Sequence, residues 1–235
     1  MQGFIAWMVA FMVTTAPPGR PQYIPEAQET REEAIARYTS IAQDIQSVVM
    51  DQNERVITSG KHARLRMTAI LLSIMLHESG FRKDVDYGQG KYARGDGGRF
   101  WCMMQLNIGN GQTRAWNRAK QRFERPGDPP DELDTGWYGR ELVTDRRNCI
   151  RAGLRTVVGT ACKRLPPMEW LRAYASGSCG NGSAASRARM GLAVRWFDGH
   201  RPDFTDADVF QALNPAPVVP PKPEDPFILR VSRGE

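Results

Sequence analysis

One glutamate, Glu78, stands where an apolar helical pattern ends, a position suited to donating a proton. In residues 67–81, MTAILLSIMLHESGF, the steps from Met67 to Leu71, Ile74 and Glu78 are four, three and four. They set the carboxyl group on the same helix face as the apolar stripe. Ser79-Gly80 follows, and glycine tolerates the left-handed backbone that closes helices. A carboxyl group there is expected to be partly desolvated and to face the negative end of the helix dipole. Both effects disfavour its ionised form and leave a proton for general acid catalysis. The same pattern also accommodates a structural ion pair between Glu78 and an arginine of this arginine-rich chain.

The residues after Glu78 point to a carbohydrate cleft. A loop carrying Gly88, Gly90, Gly95, Gly97 and Gly98 leads into Phe100-Trp101-Cys102-Met103-Met104-Gln105-Leu106-Asn107. Aromatic rings stack on the apolar faces of sugars, and amides bond their hydroxyl and acetamido groups. Other chemistries lack their residues. His77 precedes Glu78, but a zinc protease helix needs a second histidine four residues on, where Phe81 stands. The chain has no G-x-S-x-G nucleophile motif, and no Lys-Ser or Lys-Thr follows the glycine loop. Neither a metal nor a cofactor is expected.

Three short motifs resemble the lytic transglycosylases of the lysozyme superfamily, of the SLT type. That family carries Glu-Ser-x-Phe at the end of a helix, then Gly-Leu-Met-Gln, then Ala-Tyr-Asn with nearby glycines. Here these positions read Glu78-Ser79-Gly80-Phe81, Cys102-Met103-Met104-Gln105 and Ala173-Tyr174-Ala175-Ser176-Gly177. Cys102 replaces the motif glycine and Ala175 the asparagine. The resemblance covers about residues 64–197. It implies a mainly α, lysozyme-like catalytic domain of the goose-type or SLT-like kind, with at most a small β-hairpin. It also implies cleavage of the β-1,4 bond between N-acetylmuramic acid and N-acetylglucosamine in peptidoglycan. Glu78 would be the single general acid and base, with Ser79, Met104, Gln105 and Tyr174 at the substrate. Ser79 would orient the carboxyl group, and a bridged Cys102 would hold the Gln105 segment. The alternatives are a wall-binding or structural protein that keeps the fold, and a goose-type hydrolase in which Asp86 or Asp96 positions water.

The rest of the chain must position these residues. With 235 residues, 41% apolar and 25% charged, it can bury a real core, which excludes wholesale disorder, a collagen-like fibre and a multi-span membrane protein. Thirty-two basic against 26 acidic side chains give +6, a hint of a polyanionic partner that nucleic acid and the acidic envelope polymers of bacteria share. The charges are interspersed, so no specific nucleic-acid partner is expected. Apolar periodicity predicts helices over 32–56, 64–77, 141–158, 167–175, 183–197 and 206–213. Thr30 with Glu33 has the form of a capping box, and any hairpin is expected within 87–100.

Four boundaries follow from composition: an apolar segment over 1–16, a proline-rich linker over 17–30, the catalytic domain over 31–212 and a proline-rich tail over 213–235. The first is signal-like or a docking anchor. It is too short to span a bilayer and no basic residue precedes Arg20, unlike the charged start of a signal peptide. Cys102, Cys149, Cys162 and Cys179 contain no C-x-x-C pair, so two disulfides are expected, in any of three pairings, over four buried thiols. These features fit a phage virion component acting on the cell wall, with a periplasmic or secreted bacterial enzyme as the alternative. Partners through the termini would be other virion or envelope proteins.

Overall fold

A computed structural model describes residues 2–19, 25–90, 93–95, 99–107, 116–117, 122–123, 137 and 139–214. These are mainly helical: α1 (Gln2–Thr15), α2 (Arg31–Val49), α3 (Ala63–Ser79), α4 (Lys83–Asp86), α5 (Gly139–Thr144), α6 (Arg146–Thr160), α7 (Arg172–Ser176), α8 (Ser183–Gly199) and α9 (Asp206–Leu213). Two short antiparallel pairs accompany them. Strand β1 (Phe100–Trp101) pairs with β2 (Leu106–Asn107), with Trp101 opposite Leu106, and β3 (Trp116–Asn117) pairs with β4 (Arg122–Phe123). The first hairpin therefore turns over residues 102–105, later than the glycine loop where one was expected. Among the described residues no helix is long and apolar enough to cross a membrane.

Helix α3 is the axis of the core. Ile70, Leu72 and Met75 are buried along with Leu71 and Ile74, so the helix is enclosed on more than one stripe. Helices α1, α2, α8 and α9 all pack against it. Its first amides are capped from afar: Asp206 accepts from Arg64 N at 2.8 Å and Leu65 N at 3.1 Å. Its end is the expected glycine stop, with Gly80 at φ +59°.

The apolar first segment docks on this chain's own helices. Phe4, Met8, Phe11 and Met12 of α1 are at most 1% exposed. The Phe11 ring meets Trp196 edge-on at 5.1 Å and Phe81 at 6.3 Å. Trp7 Nε1 donates to the His200 carbonyl at 2.7 Å, and Tyr38 donates from α2 to the Ala16 carbonyl at 2.8 Å. The helix is thus a member of the core, tied at Trp7 in its middle and at Ala16 just past its end.

Several predicted helices are shorter or split, each for a local reason. The capping box forms as expected, Thr30 N to Glu33 Oε2 at 2.8 Å and Glu33 N to Thr30 Oγ1 at 3.1 Å. Helix α2 nevertheless stops at Val49 instead of residue 56. The Arg64 guanidinium gathers carbonyls of Val49, Asp51 and Glu54, which satisfies acceptors that a helix end leaves open. The helix expected over 141–158 is two helices. Asp145 leaves the helical conformation and accepts Arg147 N at 3.0 Å, which starts α6. The helix expected over 167–175 is likewise a 3₁₀ turn, Pro167–Glu169, followed by α7.

Both expected disulfides are present, as Cys102–Cys149 and Cys162–Cys179. The first spans 47 residues and the second 17. Loop-closure entropy makes the first worth about 4 kcal/mol and the second about 3 kcal/mol. Replacing both Cys102 and Cys149 by alanine is expected to cost more in a urea melt than replacing the other pair. The reverse order would show that α6 holds the 102–105 turn without the bridge.

Candidate active site

The site gathers at the C-terminal end of α3, where α8, α7 and the β1–β2 turn meet. Glu78 sits in the last turn of α3 with its side chain 21% exposed, so it is at a surface and not inside the core. It is not isolated in apolar surroundings, as the helix pattern predicted. Arg189 of α8 donates through Nη2 to Glu78 Oε1 at 2.5 Å. The alternative left open by the pattern, pairing with an arginine, is the arrangement found. Arg189 also donates through Nη1 to the Ala185 carbonyl at 3.1 Å, while its buried Nε has no hydrogen-bond partner. Ser73 Oγ donates to the Arg189 carbonyl at 2.8 Å and fixes α8 against α3.

Tyr174 joins the second and third motifs. Its hydroxyl donates to the Met104 carbonyl at 2.7 Å, across 70 residues. Burial and then the neighbouring Glu78 carboxylate hold the Tyr174 phenol well above its usual range, with Arg189 opposing. Residues distant in sequence, Glu78, Met104, Tyr174 and Arg189, thus converge. Because folding raises the phenol's pKa, the unfolded chain releases this proton first. The stabilising contribution is whole below the unfolded value of about 10 and declines as pH rises from there toward the folded value. Tyr174→Phe is expected to cost about 1 kcal/mol at neutral pH through the lost hydrogen bond. Denaturant melts should find that deficit shrinking above pH 10; a deficit that grows there would contradict the assignment.

The other predicted residues serve the scaffold more than a ligand. Ser79 Oγ donates to the Met75 carbonyl at 2.8 Å and accepts from Phe81 N at 3.3 Å. Its proton is committed to the helix end and does not orient Glu78. The Met104 side chain is fully buried and lies against Gly153 of α6, where an added Cβ would fall 1.9 Å from its Sδ. Only its carbonyl faces the site. Gln105 bonds the Cys102 carbonyl through Nε2 at 3.0 Å and approaches Gly95 with its Oε1. It therefore braces the glycine loop against the turn.

Backbone strain concentrates on the same motifs. The non-glycine residues with positive φ are Phe81 at +53°, Cys102 at +57° and Gln105 at +45° among the described residues. Such a conformation costs a side-chain-bearing residue about 1–2 kcal/mol and persists where the surroundings enforce it. Cys102 occupies the position where the resembled motif has glycine, and its φ explains why glycine suits that position. The bond to Cys149 on α6 holds this chain's residue there.

Of the two aspartates named for the hydrolase alternative, one is an internal ion-pair partner. Asp86 is 3% exposed and accepts from Arg146 Nε at 2.7 Å and Nη2 at 2.9 Å, with Arg37 at 3.7 Å. It anchors α4 to α6, buried and held by two guanidinium groups. Asp96 lies outside the described residues. Arg189 is the participant that sequence reasoning did not name, because its role depends on the packing of α8 on α3.

A cavity of about 790 Å³ lies elsewhere, at the end of α6, and none of the predicted site residues lines it. No family model, no curated protein and no solved structure matches this chain.

Proposed function

We propose that the chain is a peptidoglycan lytic transglycosylase of the lysozyme-like kind, with Glu78 as its general acid and base. The observation that carries this reading is the Tyr174–Met104 hydrogen bond beside Glu78, which brings the three resembling motifs to one place. In the reaction, Glu78 protonates the glycosidic oxygen as the C1–O bond breaks. The substrate's own 2-acetamido oxygen attacks C1 from the other side and forms an oxazolinium. The Glu78 carboxylate then removes the proton of the C6 hydroxyl. That oxygen closes on C1, expelling the acetamido oxygen and leaving a 1,6-anhydro sugar. No second carboxylate is required, in contrast to retaining and inverting hydrolases.

In this scheme the Glu78–Arg189 pair is the resting state: a glycan takes Arg189's place, and the freed carboxylate takes up a proton from solvent before it protonates the glycosidic oxygen. The pair also favours a second reading, in which the lysozyme-like scaffold binds the wall or an assembly partner and Glu78 is a structural anion. The two disulfides support work outside a reducing cytosol, on a virion or in the periplasm. Purified peptidoglycan sacculi test the choice. On the enzymatic reading their turbidity falls when the oxidised, folded chain is added. Sacculi that bind the chain and stay intact support the scaffold.

A further inference from the structure

The cavity of about 790 Å³ forms where the chain leaves α6 and is lined by both cysteines of the Cys162–Cys179 bond. Its volume lies within the range of small-molecule sites, about 300–1,000 Å³. Part of its wall is apolar, from Val158, Ala161, Leu165 and the disulfide. The rest is cationic: Arg55, Arg155, Lys163 and Arg164 face a single carboxylate, Glu54. That carboxylate is engaged already. Glu54 is 3% exposed and pairs with Arg155 at 2.7 Å and Arg151 at 3.1 Å. Arg55, Lys163 and Arg164 form no ion pair among the described residues.

Among the described residues, three like charges therefore line a concave, partly apolar surface without an ion-pair partner. Low-dielectric walls focus such a field and raise the local concentration of anions. A bare anion would satisfy the charges and leave the apolar wall wet, while a neutral apolar ligand would cover the wall and leave the charges uncompensated. We propose that this cavity binds an organic anion with an apolar body. Its acidic group meets Arg55, Lys163 and Arg164, and its body lies on Val158, Leu165 and the Cys162–Cys179 bond. The site is separate from Glu78, and the proposal does not depend on the wall-cleaving reading.

Titration of the intact, oxidised chain with 8-anilinonaphthalene-1-sulfonate tests this, beside the uncharged N-phenyl-1-naphthylamine and inorganic phosphate. The sulfonate is expected to bind at one site per chain, at least about tenfold more tightly than either comparison probe, and more weakly as salt rises. Lys163→Glu with Arg164→Glu should weaken it by at least about tenfold. Lys163→Arg with Arg164→Lys should preserve it. If the double reversal disturbs the thermal melt, Arg55→Glu in the segment between α2 and α3 gives the same reading. Equal binding of the charged and neutral probes overturns the proposal, as does phosphate binding as tightly as the sulfonate. Unchanged sulfonate affinity in folded charge-reversal variants overturns it as well.

Discussion

Phe11→Ala is expected to destabilise the protein by about 3–5 kcal/mol, the range for deleting a fully buried aromatic ring. Phe11 has no exposed surface, and its ring lies between Trp196 of α8 and Phe81 just beyond α3. No rearrangement of one helix can fill the space, because the ring contacts two separate elements. For a chain of this length each kcal/mol lowers Tm by about 2–4 °C, so a calorimetric scan should place the variant roughly 6–20 °C below the parent. A shift under about 2 °C would mean that α1 is a detachable appendage. Removing residues 2–15 altogether should leave a chain without a cooperative melt, since α1 covers apolar faces of both α2 and α3.

Composition and pattern reveal the apolar character of residues 3–13 but not where that surface is buried. An eleven-residue apolar run satisfies the middle of a signal peptide, a docking segment and a core helix equally. Only the partners decide, and they come from α2, α3 and α8. The same distinction runs through the rest of the fold. The Thr30–Glu33 box and the Gly80 stop are legible because each is complete within a few residues. The early end of α2 is not, because the guanidinium that donates to its last carbonyl comes from Arg64 in the next helix. The break at Asp145 was locally encoded, in a residue type that caps helices readily, yet apolar periodicity runs across it. At the site, the motifs identify Glu78 and Tyr174, whose proximity is a long-range consequence of folding. Met104 and Gln105 are legible by type, but their side chains brace the turn. Arg189 is one arginine among many in the sequence, and only the packing of α8 on α3 brings it to Glu78.

Glu78→Gln separates chemistry from architecture. Glutamine keeps the size and an acceptor oxygen for Arg189, so loss of the charge is expected to cost only about 1–2 kcal/mol of stability. Cleavage, in contrast, requires a proton to be given to the leaving oxygen and another to be taken from the C6 hydroxyl, by the same group. An amide does neither at useful rates. The expected loss of wall-clearing rate is at least about 10³-fold, within the range contributed by a general acid and base, with sacculus binding retained. A variant that clears walls at the parental rate would remove Glu78 from the reaction. A parent and variant that both bind without clearing would make the Arg189–Glu78 pair a structural tie.

Mass spectrometry of the soluble glycan released from purified sacculi tests the central claim most directly. The account predicts fragments ending in 1,6-anhydro-N-acetylmuramic acid from the parent chain and none from Glu78→Gln. Fragments with ordinary reducing ends would show that water is the nucleophile, and no fragments from a folded, oxidised chain would show that the scaffold does not cleave.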